Sequence, residues 1–121
     1  MKIGDIRTWT AVICDSPERR EMRFQTIHPG DISHLMRTKG AVLIDVRERE
    51  AYQEYHHPKA GSCPFDHIDT WMCSLPKNRP LIAYCDYGST SLMAARILGK
   101  EGYEVYTVVG GIEAMKNDGI C

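Results

Sequence analysis

No stretch of this chain is both long and apolar enough to cross a bilayer, and the N-terminus, Met1-Lys2-Ile3-Gly4-Asp5-Ile6-Arg7, lacks an apolar core of signal-peptide length. These absences lead to the expectation of a soluble, cytoplasmic protein. Excess charge of either sign is missing too. The 15 basic residues stand against 16 acidic ones, which offers no basic face to nucleic acid and no cationic patch to a membrane. No C-x-x-C pair occurs among the five irregularly spaced cysteines, Cys14, Cys63, Cys73, Cys85 and Cys121. Neither a zinc ribbon nor a thioredoxin-type motif is therefore supported. In a reducing compartment these cysteines are expected to be free thiols, with Cys63 and Cys73 read as packing residues. At 121 residues the chain is long enough for one domain with an ordinary hydrophobic core.

What is present centres on Leu81 to Ala95. An apolar strand (Leu81 to Tyr84) runs into Cys85, then into a short polar loop with one glycine, then into an Ala- and Leu-rich helix. This order puts a thiol at the C-terminal end of a buried strand, just before a helix N-terminus. Unpaired backbone N–H groups and the positive end of the helix dipole favour an anion there, so the pattern points to Cys85 as a nucleophilic thiolate. A small buried hydrophobe is the alternative reading of such a cysteine. The polar character of Asp86 to Ser91 argues against it, because it places the sulfur at a surface mouth.

Elsewhere the chain alternates between strand and helix. Thr8 to Cys14 and Met22 to Ile27 read as strands around a turn at Asp15 to Glu18, giving an N-terminal β-hairpin or arm over residues 1–24 that covers an edge or contacts another chain. Residues 25–121 form the main domain. There, helices are expected over Asp31 to Arg37, Glu48 to Tyr55, Phe65 to Cys73, Ser91 to Glu101 and Ile112 to Asn117. Strands are expected over Ala41 to Val46, Ala60 to Pro64, Leu81 to Tyr84 and Glu104 to Val109. The fold class is α/β, with a mostly parallel central sheet covered by helices on both faces. Sites in such sheets form at the C-terminal ends of strands, which brings Asp45-Val46-Arg47 into consideration beside Cys85.

Four motifs from about Gln25 to Ile120 together resemble the rhodanese-like domain. They are Leu43-Ile44-Asp45-Val46-Arg47 before a Glu-rich helix, Tyr55-His56-His57-Pro58-Lys59-Ala60, Tyr84-Cys85-Asp86-Tyr87-Gly88-Ser89-Thr90, and Gly110-Gly111-Ile112. The chain departs from the family pattern at Tyr55 and Lys59, which replace glycines, and at Met115, which replaces a tryptophan. The resemblance implies a sulfurtransferase in which Cys85 is the catalytic residue and becomes a persulfide. It also implies that Asp86, Tyr87, Gly88, Ser89, Thr90 and Ser91 form the loop around the transferred sulfur. A persulfide is a soft anion that several backbone donors can hold. Gly88 frees the backbone to turn inward, and Thr90 or Ser91 can add a hydroxyl and cap the helix. Asp45 and Arg47 are expected as a supporting ion pair, His56 as a structural residue of its turn, and His57 and His67 as surface residues. No metal or organic cofactor is implied. The implied partners are small sulfur donors such as thiosulfate, thiol or cyanide acceptors, and a sulfur-carrier protein.

The same fold carries phosphatases and arsenate reductases with a cysteine, five residues and an arginine. Here Ser91 holds that sixth position, and Arg96 lies about 7.5 Å further along the helix. Without a guanidinium on the phosphate oxygens, phosphoryl chemistry loses its main partner. Asp86 beside the nucleophile, in a loop without Lys or Arg, predicts low activity with thiosulfate or a protein-bound persulfide as donor. The competing reading is a non-catalytic interaction module of the same fold.

Overall fold

The computed structural model describes residues 24–120. The first strand and turn of the expected N-terminal hairpin lie outside them. Its second strand is present as β1 (Phe24–Ile27), but it joins the main sheet, pairing parallel with Val105–Val108. The remaining elements are α1 (Ile32–Lys39), β2 (Val42–Asp45), α2 (Arg49–Glu54), β3 (Gly61–Ser62), α3 (Ile68–Trp71), β4 (Leu81–Tyr84), α4 (Ser89–Lys100), β5 (Val105–Val108) and α5 (Gly111–Asn117). The five strands form one sheet in the order β1-β5-β4-β2-β3, with every pairing parallel.

The strand alternation decides which face each side chain joins. In β4, Leu81 and Ala83 point to the side where Ala94, Ala95 and Leu98 of α4 pack with Ile68 and Met72, and Cys85 continues that parity. Ile82 and Tyr84 point to the other side, against Ile32 of α1 and Ile112 and Met115 of α5. All four residues of β4 are buried, as a central parallel strand covered on both faces requires. The unbroken apolar run Leu81-Ile82-Ala83-Tyr84 is the sequence counterpart of that double burial. The segment expected as one helix over Phe65 to Cys73 is instead a short α3 flanked by tight 3-10 turns at Phe65–His67 and Met72–Ser74.

Among the described residues no helix is long and apolar enough to cross a membrane.

Candidate active site

Cys85 follows β4 directly and is almost fully buried, at 3% exposure. Its Sγ accepts hydrogen bonds from the backbone N–H of Gly88 at 3.1 Å and of Ser91 at 3.3 Å. The second donor belongs to the first turn of α4. That helix begins at Ser89, two residues earlier than the sequence suggested, and its N-cap is Gly88 at φ 122°. The loop is thus shorter than the expected span from Cys85 to Thr90. Ser and Thr are poor helix formers in mid-helix but suit the first turn, so their presence conceals the start of this helix. The Gly88 conformation is one that residues with a side chain rarely adopt, and it is what turns the two N–H groups onto the sulfur.

A second helix holds the loop from behind. The N–H of Ile112 donates to the Cys85 carbonyl at 2.8 Å, and that of Glu113 to the Asp86 carbonyl at 3.4 Å. With the carbonyls committed to the N-terminus of α5, the loop's N–H groups remain for the sulfur side. Gly111, at φ 61°, passes so close that a Cβ there would overlap both carbonyl oxygens. The Gly110-Gly111-Ile112 turn, which the sequence marked only as a motif, therefore fixes the orientation of the Cys85 loop.

The hydroxyl of Ser91 does not reach the sulfur. It donates to the Gly88 carbonyl at 3.2 Å and pairs with Thr107 Oγ1 of β5 at 2.8 Å. No side-chain hydrogen bond caps α4, which corrects the expectation that Thr90 or Ser91 would cap it. Ser91 acts through its main chain, because its side chain faces the sheet.

Asp45 and Arg47 form the expected pair at the end of β2. Arg47 donates to both Asp45 oxygens, at 3.1 and 3.2 Å from Nε and 2.8 Å from Nη2, and its backbone N–H adds a further bond at 2.9 Å. Burial works against the Arg47 charge, but the hydrogen bonds and charge of Asp45 outweigh it and hold the guanidinium above its ordinary pKa. Arg47 also lies 3.5 Å, through Nη1, from Asp86 Oδ1. It thereby joins the strand-end pair to the cysteine loop, a contact that neither motif reveals alone.

Asp86, Tyr87, Ser89 and Thr90 line a cleft of about 560 Å³ with Cys85 and Arg47. Glu48, Phe65, Asp66 and Met93 are among the further lining residues that the sequence did not single out. Glu48 precedes α2, Phe65 and Asp66 precede α3, and Met93 lies within α4, so only the parallel topology gathers them. Among the described residues no group of three His, Cys, Asp or Glu side chains is placed to hold a metal ion.

The histidines divide differently from the expectation. His56 stacks on Tyr52 with ring centroids 3.7 Å apart and its Nδ1 lies 2.7 Å from the Tyr52 carbonyl, a structural role as expected. His57 is buried rather than on the surface. Its backbone N–H donates to the Tyr84 hydroxyl at 3.1 Å, its Nδ1 accepts from Lys59 N–H at 3.0 Å, and burial lowers its pKa. A turn that must seal the end of β4 buries the second residue of the His pair. Cys63 and Cys85 are free thiols, whereas Cys73 is disulfide-bonded, contrary to the expectation of free thiols throughout. Cys73 is exposed in its 3-10 turn, so packing does not shield its sulfur as it does that of Cys63.

Residues 28–118 match the family described as the rhodanese-like domain. A thiosulfate sulfurtransferase GlpE of Pseudomonas savastanoi pv. phaseolicola is 33% identical over 86 residues, covering 70% of this chain and 81% of that protein. Among solved structures, a rhodanese-related protein from Thermoplasma volcanium superposes with a TM-score of 0.74 at 20% identity, over 80% of this chain and 95% of that one. Reduced CoADR-RHD of Bacillus anthracis superposes with a TM-score of 0.69 at 26% identity over 76% of this chain. The match spans only 16% of that longer protein.

Proposed function

The chain belongs to the rhodanese-like domain family, and within it we propose that this protein is a sulfurtransferase carrying a sulfane sulfur on Cys85 as a persulfide. The observation that carries the reading is the pair of N–H donors from Gly88 and Ser91 on Sγ, at the floor of a cleft. A GlpE relative named for thiosulfate sulfurtransfer, alike over most of both chains, supports the reaction class.

In this reading the Cys85 thiolate attacks the outer sulfur of a donor. The new S–S bond forms as the donor's own bond to that sulfur breaks, and the donor remainder leaves with the bonding electrons. The Cys85 persulfide then gives its outer sulfur to a thiol or to cyanide, which regenerates the thiolate. Negative charge sits on sulfur in the resting and loaded states, and oriented backbone donors in a site largely closed to water stabilise it without a metal.

Phosphoryl transfer is disfavoured by the same geometry. Arg47, the one arginine lining the cleft among the described residues, is held in a two-oxygen grip by Asp45 and faces Asp86, so it is not free to clasp three phosphate oxygens.

Mass spectrometry with peptide mapping after incubation with thiosulfate tests the proposal. One added sulfur on Cys85, removed by cyanide, is the expected result. An unmodified Cys85 after prolonged exposure to both thiosulfate and a low-molecular-weight persulfide would overturn it.

A further inference from the structure

The cleft carries a charge pattern that sulfur transfer itself does not require. Three carboxylates line it, Glu48, Asp66 and Asp86, against a single basic residue, Arg47, among the described residues. The charge of Arg47 is largely neutralised, since Asp45 lies 2.8 Å and Asp86 3.5 Å from its guanidinium nitrogens. The carboxylates come from three segments, following β2, β3 and β4, and all three residues are exposed. They reach the cleft from three separate segments and do not share one helix. Two large apolar side chains, Tyr87 and Met93, line the same opening and remain 74% and 48% exposed. Single exposed apolar residues are unremarkable, but here both line the same cleft as a buried thiol and three carboxylates.

Building on the assignment of Cys85 as sulfur carrier, we infer that this opening is a docking surface for a polypeptide segment whose thiol or persulfide is flanked by lysine or arginine. Charge complementarity selects that occupant. A thiosulfate dianion approaching the opening meets like charges, whose repulsion fades over about 8 Å at physiological salt. Lysines flanking a cysteine persulfide reverse the sign of each encounter, while their aliphatic stems can lie on Tyr87 and Met93. The volume agrees, because about 560 Å³ far exceeds one oxyanion and suits a few side chains.

The transfer balances without a further reactant. The Cys85 thiolate attacks the outer sulfur of R–S–SH, its S–S bond forms as the R–S–S bond breaks, and R–S⁻ departs with the electron pair. The proton of the transferred sulfur passes through solvent to the departing R–S⁻, giving R–SH and the Cys85–S–S⁻ anion.

Two peptides that differ only in lysine or glutamate on either side of one cysteine persulfide supply the test. The initial rate of sulfur appearance on Cys85 is read by mass spectrometry at low and high salt. The lysine peptide is expected to load the protein about tenfold faster at low salt, with the gap closing near about 1 M salt. The Glu48→Lys/Asp66→Lys double variant should invert the preference, and the isosteric Glu48→Gln/Asp66→Asn pair should remove it even if the charge reversal fails to fold. Equal rates for the two peptides, or a preference untouched by the isosteric pair, would overturn the inference and leave sulfur transfer standing if thiosulfate still loads Cys85. Loading from neither peptide nor from thiosulfate would remove the sulfur-transfer reading and this inference with it.

Discussion

The hydroxyls of Ser91 on α4 and Thr107 on β5 lie 2.8 Å apart in the buried interior, and Ser91 in turn donates to the Gly88 carbonyl at 3.2 Å. The two backbone groups that donate to Cys85 Sγ belong to the same residues, Gly88 and Ser91. The hydroxyl pair therefore ties both sulfur donors to the sheet, and Thr107 orients the cradle without touching the sulfur.

Thr107→Val keeps the shape of that side chain and removes its hydroxyl. Sulfur transfer is expected to lose roughly tenfold in kcat/KM, mostly through kcat, since the donors are displaced in the charged states while the cleft mouth is unchanged. Thr107→Ser should restore most of it. Steady-state kinetics of the two variants decide the point, because a purely structural role would lower the melting temperature without a split between kcat and KM.

Gly111→Ala places a methyl group against the carbonyls of Cys85 and Asp86, at a φ of 61° that alanine disfavours. The strain alone should cost on the order of 1–3 kcal/mol. Because the obstructed backbone is the cysteine loop, activity is expected to fall further than stability does. Urea midpoints measured beside sulfur loading would show the excess. A fully active, merely less stable variant would mean that the loop's orientation does not depend on this approach.

Asp86→Asn removes the carboxylate that faces Arg47 across 3.5 Å. Its exposed position leaves it screened but not silent, so the apparent KM for thiosulfate should drop roughly three- to fivefold at low ionic strength and converge with the parent at high salt. Kinetics at both salt levels measure this directly, and identical low-salt values would show that the Asp86 charge is not felt by the donor.

Cys63 provides a pH signature. Burial, with the charge of Asp45 added, pushes its thiol above the ordinary cysteine range, up to about 11. The fold thus favours the neutral thiol, a contribution fully present below about 9 and lost as pH rises through about 11. Urea midpoints should fall more steeply over that window in the parent than in Cys63→Ala, whatever their starting values. Near neutral pH, iodoacetamide should label Cys85 and spare Cys63, which mapping of the alkylated peptides can check.

Local pattern was legible in the amino-acid sequence. The apolar run Leu81 to Tyr84 specifies a strand buried on both faces because no polar residue interrupts it. A cysteine followed by polar residues, a glycine and an Ala- and Leu-rich segment specifies a thiol at a helix N-terminus, since strand alternation and helix capping are set over a few neighbouring residues. Relations between segments far apart in the chain came from the packing of the fold instead. These include the contact of Arg47 with Asp86, the bond from Thr107 to Ser91, the clamp of α5 on the Cys85 loop, the burial of His57, and the gathering of Glu48 and Asp66 at one mouth. The burial of His57 and the bond from Thr107 to Ser91 come from the packing of the flanking segments on the sheet. The contact of Arg47 with Asp86, the clamp on the Cys85 loop and the gathering of Glu48 and Asp66 arise because parallel strands bring their C-terminal ends to one edge of the sheet. That proximity is set by strand order and register, and no local stretch of sequence encodes either.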